Sequence, residues 1–211
     1  KAVFYCMNRE HLRELVSKKL LLLTSNYKFA ENFEEFKERV KDIGYPCVVK
    51  PTMSSSGKGQ SILKSEEDIV KCWDYAHSAC RGECKKVIIE KFVDFDQEIT
   101  IMTLNSKDGV FFCPPIGHEQ HNGDYSKSWQ PFNISEKVLY NCQKMAKMVV
   151  EELGGFGIFG VELFIKGETI YFNEVAPRPH DTAYLTLNTQ NYSQFALHVR
   201  AFSGHHIPKI K

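Results

Sequence analysis

No apolar stretch approaches the roughly 20 residues a bilayer-spanning helix needs, and the longest run, Leu20–Leu23, is flanked by lysines and too short for a signal-peptide core. No Cys-x-x-Cys pair occurs among the seven cysteines, an odd number, so neither a closed disulfide framework nor a zinc ribbon is indicated and a reducing cytosol is the simplest setting. Charge of one sign is not in excess. The 27 Lys plus Arg stand against 26 Asp plus Glu, a net charge of +1, so no global field draws nucleic acid or an anionic membrane, and any anion is held by local groups. The sequence has no Gly-x-x-x-x-Gly-Lys-Ser/Thr loop, no internal repeat and no low-complexity linker. His118-Glu119-Gln120-His121 lacks the four-residue spacing of a His-Glu-x-x-His zinc site and reads as exposed loop. The first residue is Lys1 rather than Met, so the chain is read as a piece of something longer.

What is present is ordinary for a globular protein: 211 residues, 43% hydrophobic and 25% charged, enough to bury a core without disulfide or metal staples. Helices and strands alternate in an α+β pattern. Asn8 caps a helix over Arg9–Lys19, and Asn32 caps another in which Phe33, Phe36, Val40 and Ile43 recur at three and four residues. Gly44-Tyr45-Pro46 stops that helix and feeds a strand, Cys47–Lys50, and a second short strand passes through Ile62 and Leu63. Ser65 with Asp68 opens a helix to Ser78 in capping-box style. Strands follow near Val87–Phe92, Glu98–Thr103 and Val110–Ile116, then a polar, turn-prone stretch from Gly117 to Pro131. Ser135 starts the longest helix, which Gly154-Gly155 ends. Two strands, Gly157–Ile165 and Thr169–Val175, flank the turn Lys166-Gly167-Glu168, and a helix around Ser193–Phe202 closes the pattern.

Four groups carry chemistry. The loop Ser54-Ser55-Ser56-Gly57-Lys58-Gly59-Gln60 lies between strands; its small residues let backbone N–H groups approach an anion, and Lys58 adds a charge, as in a flap closing over phosphates. Lys50 ends the apolar strand before it and points a second cation the same way, which favours a polyphosphate. Glu162 and Glu174 interrupt apolar strands, where an ionised carboxylate is costly unless compensated. Pairing across the three-residue turn sets positions summing to 334 opposite one another, so Glu162 faces Phe172 with Glu174 diagonal on the same side. Two hard carboxylates on neighbouring strands suit Mg2+. The run Val87–Val93, followed by Asp94 to Glu98, offers a backbone edge for a purine and an acidic side chain for a ribose, alone a weak signal. Last, Arg178, His180 and Asp181 sit in a loop stiffened by two prolines, a usual place for substrate contacts.

Lys50, the serine-glycine loop, Glu90, Glu98 and the Glu162/Glu174 pair, in this order, resemble an ATP-grasp domain. More narrowly, Asp42–Gln60, Ser128-Trp129-Gln130-Pro131 and Glu174–Thr182, with Met7-Asn8-Arg9 and Phe195–Phe202, resemble the formate-dependent phosphoribosylglycinamide formyltransferases of purine synthesis. The resemblance implies an ATP-grasp fold over 1–211, with a small flap part at 46–92 and a larger antiparallel-sheet part at 93–211, the family's flanking N- and C-terminal domains being absent. It implies that ATP is contacted by Arg9, Lys50, Ser55, Ser56, Gly57, Lys58, Gly59 and Gln60, by the hinge Glu90, Lys91, Phe92 and Val93, and by Glu98. Glu162 and Glu174 would hold Mg2+, and Asp181, Arg178 and His180 would contact the glycinamide substrate. Lys91 stands where the family often has glycine. The implied chemistry is activation of formate by ATP as formyl phosphate, then attack by the amine of 5'-phosphoribosylglycinamide, with no side-chain nucleophile. The setting implied is cytoplasmic, with small-molecule substrates, no nucleic acid or membrane, and a homodimer in the intact enzyme. Two alternatives stand beside this reading: another ATP-grasp carboxylate–amine ligase of the carboxyaminoimidazole-forming type, and a nucleotide-binding fragment without turnover.

Overall fold

The computed structural model describes every residue except Ser56, 83–85 and Asn122, together with the side chain of Asp124. In chain order the elements are α1 (Ala2–Met7), α2 (Arg9–Glu14) running on into a π-helical turn at Leu15–Lys19, β1 (Tyr27–Ala30), α3 (Phe33–Ile43), β2 (Cys47–Pro51), β3 (Ser61–Leu63) and α4 (Ile69–Ser78). There follow β4 (Val87–Lys91), β5 (Gln97–Ser106), β6 (Gly109–Phe112), β7 (Ile116–His121), β8 (Asp124–Trp129), α5 (Glu136–Leu153), β9 (Gly157–Lys166), β10 (Thr169–Ala176), α6 (Thr186–Thr189) and α7 (Gln194–Phe202). Among the described residues no helix is long and apolar enough to cross a membrane.

The strands form two antiparallel sheets, a four-stranded one in the order β1-β4-β2-β3 and a six-stranded one in the order β10-β9-β5-β7-β8, with β6 beside β5. In the small sheet the two-residue period sends Cys47, Val49, Val87 and Ile89 to one face. There they pack on Phe36 and Val40 of α3 and Ile69, Cys72 and Ala76 of α4, each large apolar side chain so buried contributing about 1.5–3 kcal/mol. The opposite face then receives Val48, Lys50, Ile88 and Glu90. Asn32 caps α3 by accepting from Glu35 N at 3.0 Å. This sheet includes Tyr27–Ala30, so it begins well ahead of the 46–92 expected for the small part.

In the main sheet the odd-numbered residues Ile99, Ile101, Val161, Leu163 and Ile165 face α5, whose Val138, Cys142, Met145, Val149 and Leu153 recur at three and four residues. Leu12, Leu15 and Val16 join this core, so α2 belongs to the main sheet. The even-numbered side splits in two. Met102, Leu104 and Ile158 pack on Leu197 and Ala201 of α7, while Glu98, Thr100, Glu162 and Phe164 turn toward the small sheet.

Three local expectations change. Ser65 makes no capping bond; a 3-10 turn, Glu66–Asp68, precedes α4. The strand expected at Val110–Ile116 splits into β6 and β7 around Pro114-Pro115, which have no N–H for a ladder. The polar stretch from Gly117 to Pro131 is the β7–β8 hairpin, at the edge of the sheet.

Candidate functional site

Between the two sheets lies a cavity of about 1400 Å³. Val48, Lys50, Ile62 and Glu90 line it from the small sheet, and Glu98, Glu162, Phe164 and Phe172 from the main one. The hinge residues Lys91, Phe92 and Val93 close one end, and Arg178, His180 and Asp181 lie on its wall. Of the glycine loop, Ser55, Gly57 and Gln60 line the cavity, whereas Lys58 is exposed and, with Gly59, is not among its lining; Ser56 lies outside the described residues.

The loop is held at its N-terminal end and at its tip. Arg9 Nη1 donates to Pro51 O and to Ser54 Oγ, each at 3.0 Å. At the tip Gly57 has φ +64° and meets the β7–β8 turn so closely that a Cβ there would lie 2.3 Å from Gly123 O. Two glycine backbones thus touch across the mouth of the cavity.

Lys50 does not stand free. Its Nζ is 2.7 Å from Glu90 Oε2, and Arg13 Nε donates to Glu90 Oε1 at 2.6 Å, all three side chains being buried. Burial alone would raise Glu90, yet the charges of Arg13 and Lys50 hold its carboxyl down at about 2. Two cations share one carboxylate, so one unit of positive charge remains on the cavity wall, suited to a phosphate. Arg13 also donates through Nη1 to Asn173 O at 2.6 Å, joining the small sheet to β10. Sequence reasoning missed Arg13; the available signal was a charge on the same helical side as Leu12 and Val16.

Glu162 and Glu174 pair directly across β9 and β10. The expected pairing of Glu162 with Phe172 is corrected: the turn is Gly167-Glu168 alone, so Phe172 faces Leu163, and an irregularity between Phe172 and Glu174 shifts the register once more. Glu174 lies 3.5 Å from Arg9 Nη2. Asn173 Nδ2 donates to Glu162 Oε2 at 3.3 Å, and His180 Nε2 sits 3.0 Å from Glu162 Oε1. Burial pulls His180 down, but its hydrogen bond and ion pair with Glu162 outweigh that and lift it above the usual imidazole value, while Glu162 is held low by the same partner against its own burial. Gln194 fixes the His180 backbone from both sides, accepting from its N–H at 2.7 Å and donating to its carbonyl at 2.9 Å. Gly160 is required beneath the ring, since a Cβ there would lie 2.7 Å from His180 Cγ.

His118, expected in an exposed loop, is instead on β7, 2% exposed, and lines the cavity. The alternation of β7 turns it inward toward Thr100 and Glu98, while Glu119 and His121 are exposed. Burial pushes the thiols of Cys6, Cys113 and Cys142 up to about 12, so none of these three offers a thiolate nucleophile.

An ATP-grasp domain model matches residues 15–195. The chain is 55% identical over 210 residues to the formate-dependent phosphoribosylglycinamide formyltransferase of Vibrio parahaemolyticus and 53% identical over 211 residues to that of Syntrophotalea carbinolica, in each case over 100% of this chain and 54% of the relative. The chain therefore spans about half the length of the curated relatives it matches. Among solved structures, an ADP complex of N5-carboxyaminoimidazole ribonucleotide synthetase superimposes with a TM-score of 0.88 at 29% identity, over 97% of this chain and 53% of that one. Glycinamide-RNase-transformylase T from Mycobacterium tuberculosis gives 0.77 at 29% identity, over 98% of this chain and 55% of that one. Two antiparallel sheets facing each other over a cavity, with a glycine loop on one and paired carboxylates on the other, agree with these matches, and the chain belongs to the ATP-grasp family.

Proposed function

We propose that this chain is the nucleotide- and magnesium-binding portion of a formate-dependent phosphoribosylglycinamide formyltransferase. The observation that carries the reading is the meeting in one cavity of a buried cation surplus, Lys50 and Arg13 around Glu90, with the opposed carboxylates Glu162 and Glu174. The names of the curated relatives support the choice of formate and the glycinamide amine.

In this reading Lys50 and the N–H groups of the loop at 55–60 orient the phosphates, with Arg9 fixing the loop. Phe164, Phe172 and the hinge at 90–93 enclose the base, and Glu98 takes the ribose. Glu162 and Glu174 fit a magnesium ion: both are hard oxygen donors, directly paired across two strands, and the Glu174 ion pair with Arg9 is a long one at 3.5 Å. When bound, the ion offsets charge building on the transferring phosphoryl oxygens. A formate oxygen attacks the terminal phosphorus of ATP, ADP leaves and formyl phosphate forms. The glycinamide amine then attacks the formyl carbon, and phosphate departs with the amine proton. Arg178, His180 and Asp181 are placed to hold the acceptor, and the protein's part is positioning and charge neutralisation.

Calorimetry with Mg-ATP tests the site: binding is expected for the wild type, lost in Lys50→Ala and weakened in Glu162→Gln, and unchanged affinity in both variants would sink it. The superposition on carboxyaminoimidazole ribonucleotide synthetase favours, as a second reading, a ligase that activates bicarbonate. Phosphate release stimulated by formate and not by bicarbonate in the intact enzyme separates the two.

A further inference from the structure

One donor on the cavity wall has no role in the scheme above. His118 Nε2 is buried and without a hydrogen-bond partner. Glu98 Oε1 lies 3.4 Å away without hydrogen-bond geometry, and accepts from Gln120 Nε2 at 3.0 Å. The far side of the ring is anchored: Nδ1 lies 3.3 Å from Thr100 Oγ1, which accepts from Thr182 Oγ1 at 2.9 Å. Thr182 Oγ1 also lies 2.9 Å from His180 Nδ1; with the Thr182 hydrogen given to Thr100, His180 Nδ1 donates to Thr182 and the Thr100 hydrogen is directed to His118 Nδ1. A neutral imidazole that accepts at Nδ1 carries its hydrogen at Nε2.

That tautomer decides between two ligands. Glu98, His118 and Glu162 offer atoms within 4.8 Å of one another, a spacing that would suit a metal ion. In this tautomer Nε2 is a donor facing the cavity, and a metal there would require its hydrogen to move to Nδ1 against the Thr100 contact. A neutral donor also suits a place between two carboxylates, where a lysine would collapse into an ion pair. With the ribose at Glu98 and the metal at Glu162, the space facing His118 is where the phosphate tail runs.

We propose that His118 is a ligand-contacting residue whose Nε2–H donates to a phosphate oxygen of the bound nucleotide, its direction fixed by the Thr182–Thr100 hydroxyl pair. The proposal rests on the nucleotide reading given above. It is tested in the 211-residue chain by titrating Mg-ATP calorimetrically and adenosine by ligand NMR. Two variants separate donor from fold: His118→Asn keeps an acceptor toward Thr100 but has nothing at Nε2, whereas His118→Gln places an amide N–H there. His118→Asn is expected to weaken Mg-ATP about ten- to a hundredfold, the effect of one hydrogen bond to a charged group, with adenosine within about twofold of wild type. His118→Gln is expected to restore most of the Mg-ATP affinity. Equal affinity for Mg-ATP in wild type and His118→Asn, equal losses for both ligands, or no rescue by His118→Gln overturns the assignment while the nucleotide site stands. Failure of the wild type to bind Mg-ATP overturns both.

Discussion

At the scale of single residues, Glu90 has the sharpest consequence. Its carboxyl sits at about 2 in the folded chain against an ordinary 4.5, so its pairing with Arg13 and Lys50 stabilises the fold fully above about pH 4.5, and that share fades as pH falls toward 2. A shift of this size corresponds to on the order of 3 kcal/mol. Urea midpoints measured from pH 6 to 3 are expected to fall steeply below 4.5. Glu90→Gln is expected to be less stable at pH 7, because it leaves two buried cations without a carboxylate, and to show a shallower fall. A wild-type midpoint that stays level between pH 5 and 3 would contradict the buried ion pair. His118 and Arg13 show what residue types hide: a histidine among polar neighbours resembles loop, and an arginine on a helix resembles a solvated face. In both, the decision comes from which way the element is turned, a property of packing that a single sequence does not carry.

Elements were legible where patterning and capping agreed. The alternation of Cys47, Val49, Val87 and Ile89 with Val48, Lys50, Ile88 and Glu90 gives the small sheet one oily and one cavity face, and Asn32 and Ser135 start α3 and α5 as their side chains suggest. The hairpin at Ile116–Trp129 was not legible because one side of it serves the cavity, so its composition is polar where strands are usually apolar. The β9–β10 register was misjudged by the turn length and again by the irregularity at Asn173, and it is that irregularity that sets Glu174 beside Glu162. The meeting of the glycine loop with the hairpin turn is an element-scale feature with a direct test. Gly57→Ala puts a methyl where Gly123 O now lies and at a φ that alanine rarely takes, so the two tips must part. Weaker Mg-ATP binding, with a melting temperature lowered by only a few degrees and faster proteolysis in the loop, is expected. Tight nucleotide binding in this variant would show that the two tips need not touch.

Across the whole molecule, Arg13 joins the two sheets by buried charge, beside the more exposed Glu10–Lys86 pair from the same helix. Its helix is packed in the main core through Leu12, Leu15 and Val16, while its guanidinium reaches Glu90 on the small sheet and the carbonyl of Asn173 on β10. Only a planar fork meets both acceptors at once, so lysine is not an equivalent. Removing the charge in Arg13→Met leaves Glu90 paired with Lys50 alone and Asn173 O without this donor, a loss of about 1.5–3 kcal/mol for the hydrogen bond to a charged group. Its effect is also expected to be uneven, because each sheet retains its own apolar core. The two tryptophans report on the halves separately: Trp73 packs on Phe33 and Phe36 beside the small sheet, and Trp129 ends β8 in the main one. In urea, Trp129→Phe and Trp73→Phe chains, each with one tryptophan left, are expected to unfold at the same midpoint when Arg13 is present. In the Arg13→Met background the Trp73 signal is expected to change first and the Trp129 signal later, with Arg13→Lys between the two cases. Coincident midpoints in Arg13→Met would mean that the sheets are coupled by something other than this arginine, such as the Glu10–Lys86 ion pair made from the same helix.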